Sequence, residues 1–236
     1  MHIFEKIKYM GRDMGRAVSI LALGMTLATG ADAAGLSPDQ TKAFQGVIRQ
    51  YLLNNPEIIA EAIEALQKKR AIAETNAGKA ALKAQSTMLF GDPDSPVAGD
   101  INGDVTVVEF FDYRCGVCKR FHPIVDNLMK GDRKLRHVYK NWPILGPESV
   151  FAARAALASR AQGKYLAFHD ALMEARGRLD KNAVLKIAEK VGIDRPRLVR
   201  DMDNAEITKI LRRNYQLAEA LKLNGTPSFV IGDRIL

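Results

Sequence analysis

Cys115 and Cys118 are the only cysteines in a chain of 236 residues, and they stand together as Cys115-Gly116-Val117-Cys118. Directly before them runs Val105-Thr106-Val107-Val108-Glu109-Phe110-Phe111, near-continuously apolar and rich in β-branched residues, which reads as a buried strand. The pair therefore falls where a strand gives way to a helix N-terminus. Unpaired N–H groups and the helix macrodipole at such a terminus favour a thiolate over a thiol. A thiolate with a second thiol three residues away can attack a disulfide and then be resolved by its neighbour. The chemistry this spacing predicts is thiol–disulfide exchange.

Other uses of two cysteines are weaker. As a staple, the pair would close a tiny ring that hardly constrains the unfolded chain. A zinc site needs about four ligands, and there is no second Cys-x-x-Cys to supply them. His122 lies one turn after Cys118, so a Cys/Cys/His site for a soft ion such as copper(I) stays open. His137 falls on a strand and His169 on a helix face, and both read as packed or solvated residues. No cofactor and no metal-ligand set is assigned.

The elements that must position the pair can be read on either side of it. Residues 36–90 look helical. Phe44, Val47, Ile48, Tyr51 and Leu52 form one apolar stripe, and Ile58, Ile59, Ala62, Ile63, Leu66 and Ala73 form another. Between them, Asn55-Pro56-Glu57 reads as a helix start with Asn at the N-cap and Pro at the first position. Such stripes either pack on the parent domain or meet copies of themselves. Gly91 to Pro96 is a loop by composition. The helix that carries Cys118 should be kinked by Pro123. Leu135 to Lys140 reads as a second strand, and residues 147–222 as a helical block closed by Asn224-Gly225. Ser228 to Ile231 is a third strand, with a tight turn at Gly232-Asp233 and the beginning of a partner strand at Ile235-Leu236.

The N-terminus reads as an export signal. Lys6, Lys8, Arg12 and Arg16 form a basic region, Ala17 to Thr29 an apolar stretch, and Ala31-Asp32-Ala33 a cleavage site. Cleavage after residue 33 would remove four basic and three acidic side chains from a formal charge of +8, leaving +7. The basic residues are spread over many predicted helices with no arginine–aromatic cluster, which argues against a nucleic-acid partner. Export would place the cysteines in an oxidising compartment such as a periplasm.

In combination these motifs resemble the DsbA-like branch of the thioredoxin superfamily. The matching residues are Val107 to Cys118, Gly225-Thr226-Pro227-Ser228-Phe229-Val230, and Tyr139 to Gly146. The leading helices, with Tyr51-Leu52 and Asn55-Pro56-Glu57, are similar to the extension of the suppressor-of-copper-sensitivity C group, some of whose members assemble through it. The implied fold is α/β, a thioredoxin-like sheet with a helical insertion at about 147–222 and an N-terminal helical extension. The implied domains are a signal peptide at 1–33, the extension at 34–90 and the thioredoxin domain at 91–236. The family normally completes the final hairpin and adds a C-terminal helix, so a strand and a helix beyond Leu236 are expected to be missing.

The resemblance also implies roles. Cys115 would be the exposed nucleophile and Cys118 the buried resolving thiol. Thr226-Pro227 would carry a cis peptide facing them, leaving backbone groups to pair with an extended substrate. Glu109 would accept a proton near Cys118; as a residue alone, it could equally be a partly exposed edge position. The implied substrates are cysteine-containing unfolded or misfolded proteins, with a membrane redox partner and a possible homo-oligomer through 36–90. Thr before Pro227 leans toward isomerase-type relatives. A strong DsbA-type oxidase and a copper(I)-binding thiol protein remain the alternatives.

Overall fold

The computed structural model describes residues 37–236. The signal peptide expected at 1–33 lies outside these residues. The chain divides into two compact units, one ending at Ala60 and the other running from Glu61 to Leu236.

In the first unit, helix α1 spans Pro38–Asn54. It starts on a capping box: the Ser37 hydroxyl accepts from Gln40 N–H, and the Gln40 side chain accepts from Ser37 N–H at 2.9 Å. No residue of α1 is buried. Phe44, Val47, Ile48 and Tyr51, spaced to share one helix face, are each more than half exposed. Asn55 does not cap the following helix as its position suggested. Its backbone N–H and its Nδ2 both donate to the Tyr51 carbonyl, at 3.0 and 2.8 Å, so its amide closes α1 instead. Helix α2 then runs Glu57–Ala84, crossing from the first unit into the second.

The second unit is built on five strands in the order β1-β3-β2-β4-β5. These are β1 Val97–Gly99, β2 Val105–Phe111, β3 Leu135–Asn141, β4 Ser228–Ile231 and β5 Arg234–Ile235. Strands β2 and β3 are parallel, which requires a crossover, and helix α4, Gly116–Gly131, supplies it. The other pairings are antiparallel. Helix α4 continues through Pro123 as one helix. The short helix α3, Ser86–Phe90, precedes the sheet. The helical block consists of α5 Pro147–Ala158, a 3-10 turn Ser159–Gln162, α6 Tyr165–Glu174, α7 Lys181–Lys190, α8 Arg195–Asp201 and α9 Ala205–Ala220. A non-helical stretch between α6 and α7 interrupts the expected continuity.

Strand β2 is buried on both faces, and its alternation sorts the core into two layers. Val108 and Phe110 join Val138, Trp142, Leu82, Leu89, Leu217 and Val230 on one side. Phe111 joins Tyr139, Tyr165, Phe168 and Leu172 of the helical block on the other. Strand β1 was not foreseen. It is three residues long and ends on Gly99, whose φ of +77° suits glycine and where a Cβ would stand 2.2 Å from the Leu135 carbonyl oxygen. Gly232, with φ +59°, turns the chain so that two residues of β5 pair with β4. No helix among the described residues is long and apolar enough to cross a membrane.

A buried ion pair fastens the segment after α3 to the sheet. Lys140 of β3, wholly buried, donates to Asp92 at 2.8 Å and to the Met88 carbonyl at 2.6 Å. Burial pushes the Asp92 carboxyl up, but its hydrogen bonds, led by Lys140, outweigh this and hold it below the ordinary value. For Lys140 burial prevails, and its pKa falls despite Asp92. Asp92→Ala would strand the buried ammonium, and we expect a loss of about 3–5 kcal/mol in urea unfolding at neutral pH. Because the Asp92 pKa is depressed in the folded state, its contribution is complete above the unfolded value near 3.8 and fades as pH falls through the folded one.

Candidate redox site

Both thiols are free, so the structure is that of the dithiol form. Cys115 is the N-cap of α4, and its Sγ accepts the Cys118 backbone N–H at 3.2 Å. The first turn of α4 carries no acidic residue, so the positive end of the helix meets the sulfur uncompensated. The Cys115 Sγ–H donates to the Thr226 carbonyl at 3.1 Å, and Thr226–Pro227 is a cis peptide. The structure thus brings Cys115, Cys118 and Thr226-Pro227 together across more than one hundred residues of sequence.

Cys115 is less open than expected. It is 6% exposed and Cys118 is fully buried. The difference between them is electronic as well as steric. Burial pushes the Cys115 thiol up, but hydrogen bonds from the Thr226 and Cys118 side chains and the Cys118 and Val117 N–H groups outweigh it, so the net shift is down. Burial raises Cys118 far above the ordinary thiol range, and its Cys115 neighbour adds to the effect. One sulfur is set up to ionise and the other to keep its proton.

The turn between β2 and α4 is fixed by Asp112, a residue that sequence reasoning passed over. Its carboxylate is 2% exposed as a residue and accepts Arg114 N–H at 2.8 Å, Ile144 N–H at 2.8 Å and Leu145 N–H at 3.0 Å. Its carbonyl accepts Cys115 N–H at 3.0 Å. Arg114 adds a second tie to the same neighbouring segment, donating to the Leu145 carbonyl and to Glu148. Lys119, just past the cysteines, reaches the carbonyls of Leu172 and Ala175 at the end of α6.

Glu109 is on β2, between β3 and β4, and is 3% exposed, so the partly exposed edge position does not hold. The β2–β3 register puts it on the same face as His137, Tyr139 and Phe111. Its Oε2 lies 3.1 Å from His137 Nε2, off the line a hydrogen bond needs. No hydrogen bond among the described residues joins Glu109 to either cysteine. Nearby, the Tyr113 hydroxyl contacts His169 Nδ1 at 3.1 Å, and complete burial holds that imidazole well below the usual histidine range. His122 groups with His169 and Asp170, not with the two cysteines.

The thiol asymmetry has a direct readout. Near neutral pH, iodoacetamide should label Cys115 at least about tenfold faster than Cys118, scored by peptide mass spectrometry. Thr226→Val should move the Cys115 labelling profile to higher pH. For stability of the dithiol form the signs are opposite. The lowered Cys115 pKa contributes stability above the unfolded thiol value, lost as pH falls through the folded one. The raised Cys118 pKa destabilises as pH climbs above that unfolded value.

Comparison with known proteins agrees with this geometry. Residues 106–236 match the DSBA-like thioredoxin domain, and residues 40–73 match the copper resistance protein ScsC N-terminal domain. A thioredoxin-like oxidoreductase from Silicibacter pomeroyi DSS-3 is 51% identical, with a TM-score of 0.63 over 64% of this chain and 87% of that one. ScsC of Proteus mirabilis, in a transitional conformation, is 31% identical, with a TM-score of 0.62 over 86% and 90%. The thiol:disulfide interchange protein DsbA of Bordetella parapertussis is 27% identical over 184 residues, 70% of this chain and 81% of that protein. The Na(+)/H(+) antiporter NhaA 3 of Salinispora tropica is 29% identical over 150 residues, 62% of this chain. The chain spans only 23% of that antiporter's length. With the redox turn, Thr226–Pro227 and strands β3, β4 and β5 all inside the matched region, the chain belongs to the DSBA-like thioredoxin domain family.

Proposed function

We propose that the chain is a periplasmic thiol–disulfide oxidoreductase that rearranges disulfides in exported proteins. The opposite shifts of the two thiols carry this reading. The Cys115 thiolate attacks one sulfur of a substrate disulfide; a Cys115–substrate bond forms, the substrate S–S bond breaks, and the second substrate sulfur leaves as a thiolate. If another substrate thiolate attacks the mixed disulfide, a new substrate disulfide forms and Cys115 is released with no net electron transfer. If Cys118 attacks Cys115 instead, the substrate leaves reduced by two electrons and the enzyme is oxidised, so a reducing membrane partner must restore it. Cys118 must lose its proton for that step, and Glu109 is our candidate acceptor, buried on the face of β2 that carries Phe111.

Substrate binding fits unfolded chains. Val117, Phe121, Ile144 and Leu145 are all more than one third exposed, on α4 or on the segment that Asp112 and Arg114 tie to the redox turn. An extended segment laid along Thr226–Pro227 would pair through backbone groups, which favours no particular sequence. The exposed apolar face of α1 supports self-association through the helical extension at 34–90, ahead of a thioredoxin domain at 91–236 and after a signal peptide at 1–33. An assembled form would shield Cys115 from an oxidising system. A DsbA-type oxidase is the second reading. It is favoured by the lowered Cys115 pKa, since a more acidic thiol leaves faster from the mixed disulfide when the second substrate thiolate attacks it.

One assay separates these. An isomerase reactivates a protein with scrambled disulfides; an oxidase only oxidises a reduced one. We expect reactivation, abolished in Cys115→Ser. Failure of a folded chain in both assays would sink the oxidoreductase reading and bring forward copper(I) capture by the two thiols. Glu109→Gln should slow resolution by Cys118 and flatten its pH dependence; unchanged rates across pH would remove Glu109 from the mechanism. Replacing Val47 and Tyr51 by Asp on α1 should lower the sedimentation mass to that of a monomer, and an unchanged mass would reject assembly through this face.

A further inference from the structure

Away from the thiols, a cavity of about 240 Å³ opens among α4, α6 and β3. Its lining includes His122, Asp126, His137, Tyr139 and Asp170. His122 lies on α4 one turn past Cys118, and His169 and Asp170 are neighbours on α6. One potential ligand atom from each of His122, His169 and Asp170 lies within 4.8 Å of the other two.

One edge of this triangle is close to that of a tetrahedral centre. With bonds of about 2.0–2.1 Å, adjacent ligand atoms stand about 3.4 Å apart. His122 Nε2 and Asp170 Oδ1 are already 3.7 Å apart. Their side chains are 14% and 54% exposed, so small rotations of either can close the set. His169 is the fixed member, 1% exposed. The Tyr113 hydroxyl engages its Nδ1, which leaves Nε2 as the coordinating nitrogen. A polar group on the far ring nitrogen is the arrangement that orients metal-binding imidazoles.

A second observation points to an occupant. His137 lines the same cavity, is 1% exposed, and makes no hydrogen bond at either ring nitrogen. Its Nε2 stands 3.1 Å from the Glu109 carboxylate, so Nδ1 is the buried ring atom with no neighbour to satisfy it, and a polar species in the cavity would do so. Lys130, which also borders the cavity, is paired with Asp126 at 2.5 Å, so Asp170 remains as the carboxylate available to a cation. Two imidazoles and one carboxylate suit zinc-class cations rather than calcium or magnesium, which prefer all-oxygen shells.

We propose that His122, His169 and Asp170 form a binding site for one divalent cation of the Zn²⁺ class, with water in the fourth position inside the cavity that His137 borders. The ion would clasp the redox helix to the helical insertion.

The test uses the full chain with Cys115 and Cys118 oxidised to a disulfide, so that neither thiol can ligate. Titration with ZnCl₂ should show one saturable equivalent and a higher Tm. His122→Ala and Asp170→Asn, each at a partly exposed side chain, should weaken binding by about tenfold or more with unchanged circular dichroism. Co²⁺ in place of Zn²⁺ should give the visible absorption of a four-coordinate site, lost in both variants. Absence of saturable binding, or binding that survives both variants, would overturn the proposal.

Discussion

The carboxylate of Asp112 accepts backbone N–H groups from two segments, at Arg114 and at Ile144-Leu145, that are remote in sequence, and the position of Cys115 follows from that. A buried carboxylate is costly unless its lone pairs are filled, and here three backbone donors fill them. The same residue's carbonyl holds the Cys115 N–H, so the turn cannot relax without breaking several bonds at once. Only with this turn fixed does the sulfur sit at the helix N-terminus, where the Cys118 N–H can reach it.

The redox helix is then held from both sides. Arg114 anchors the turn before it, and Lys119 anchors its first turn to the end of α6. Between these ties the two sulfurs experience different surroundings. Cys115 meets donors and a trace of solvent, whereas Cys118 faces the buried layer shared with Phe111 and the helical insertion. The sheet and the helices contribute to reactivity mainly by keeping that difference sharp.

Much of this was legible in the sequence because it depends on local pattern. Strand β2 has the bounds its apolar run suggested, and β4 likewise, since β-branched runs flanked by turn residues leave little choice. The turn at Gly232 needed only a residue at ease with positive φ. What escaped depends on tertiary partners. Asp112 looks like any polar residue after a strand until residues 144–145 fold against it. Asn55 could cap either of two helices, and only the folded chain shows its amide turned back to Tyr51. His122 and His169 are separated by 46 intervening residues, too far for spacing alone to group them. The approach of Thr226 to Cys115 is expected only through the family resemblance, since no local rule could aim one at the other.

Between the two cysteines the chain is sterically unconstrained. A side chain added at Gly116 would meet only the Arg120 guanidinium, at 3.7 Å, and Val117 is 39% exposed. Two positions beside the thiolate can therefore be replaced without touching the core. Side chains at this dipeptide can change without repacking the core, which makes it an interchangeable cassette on a scaffold that need not be redesigned around it.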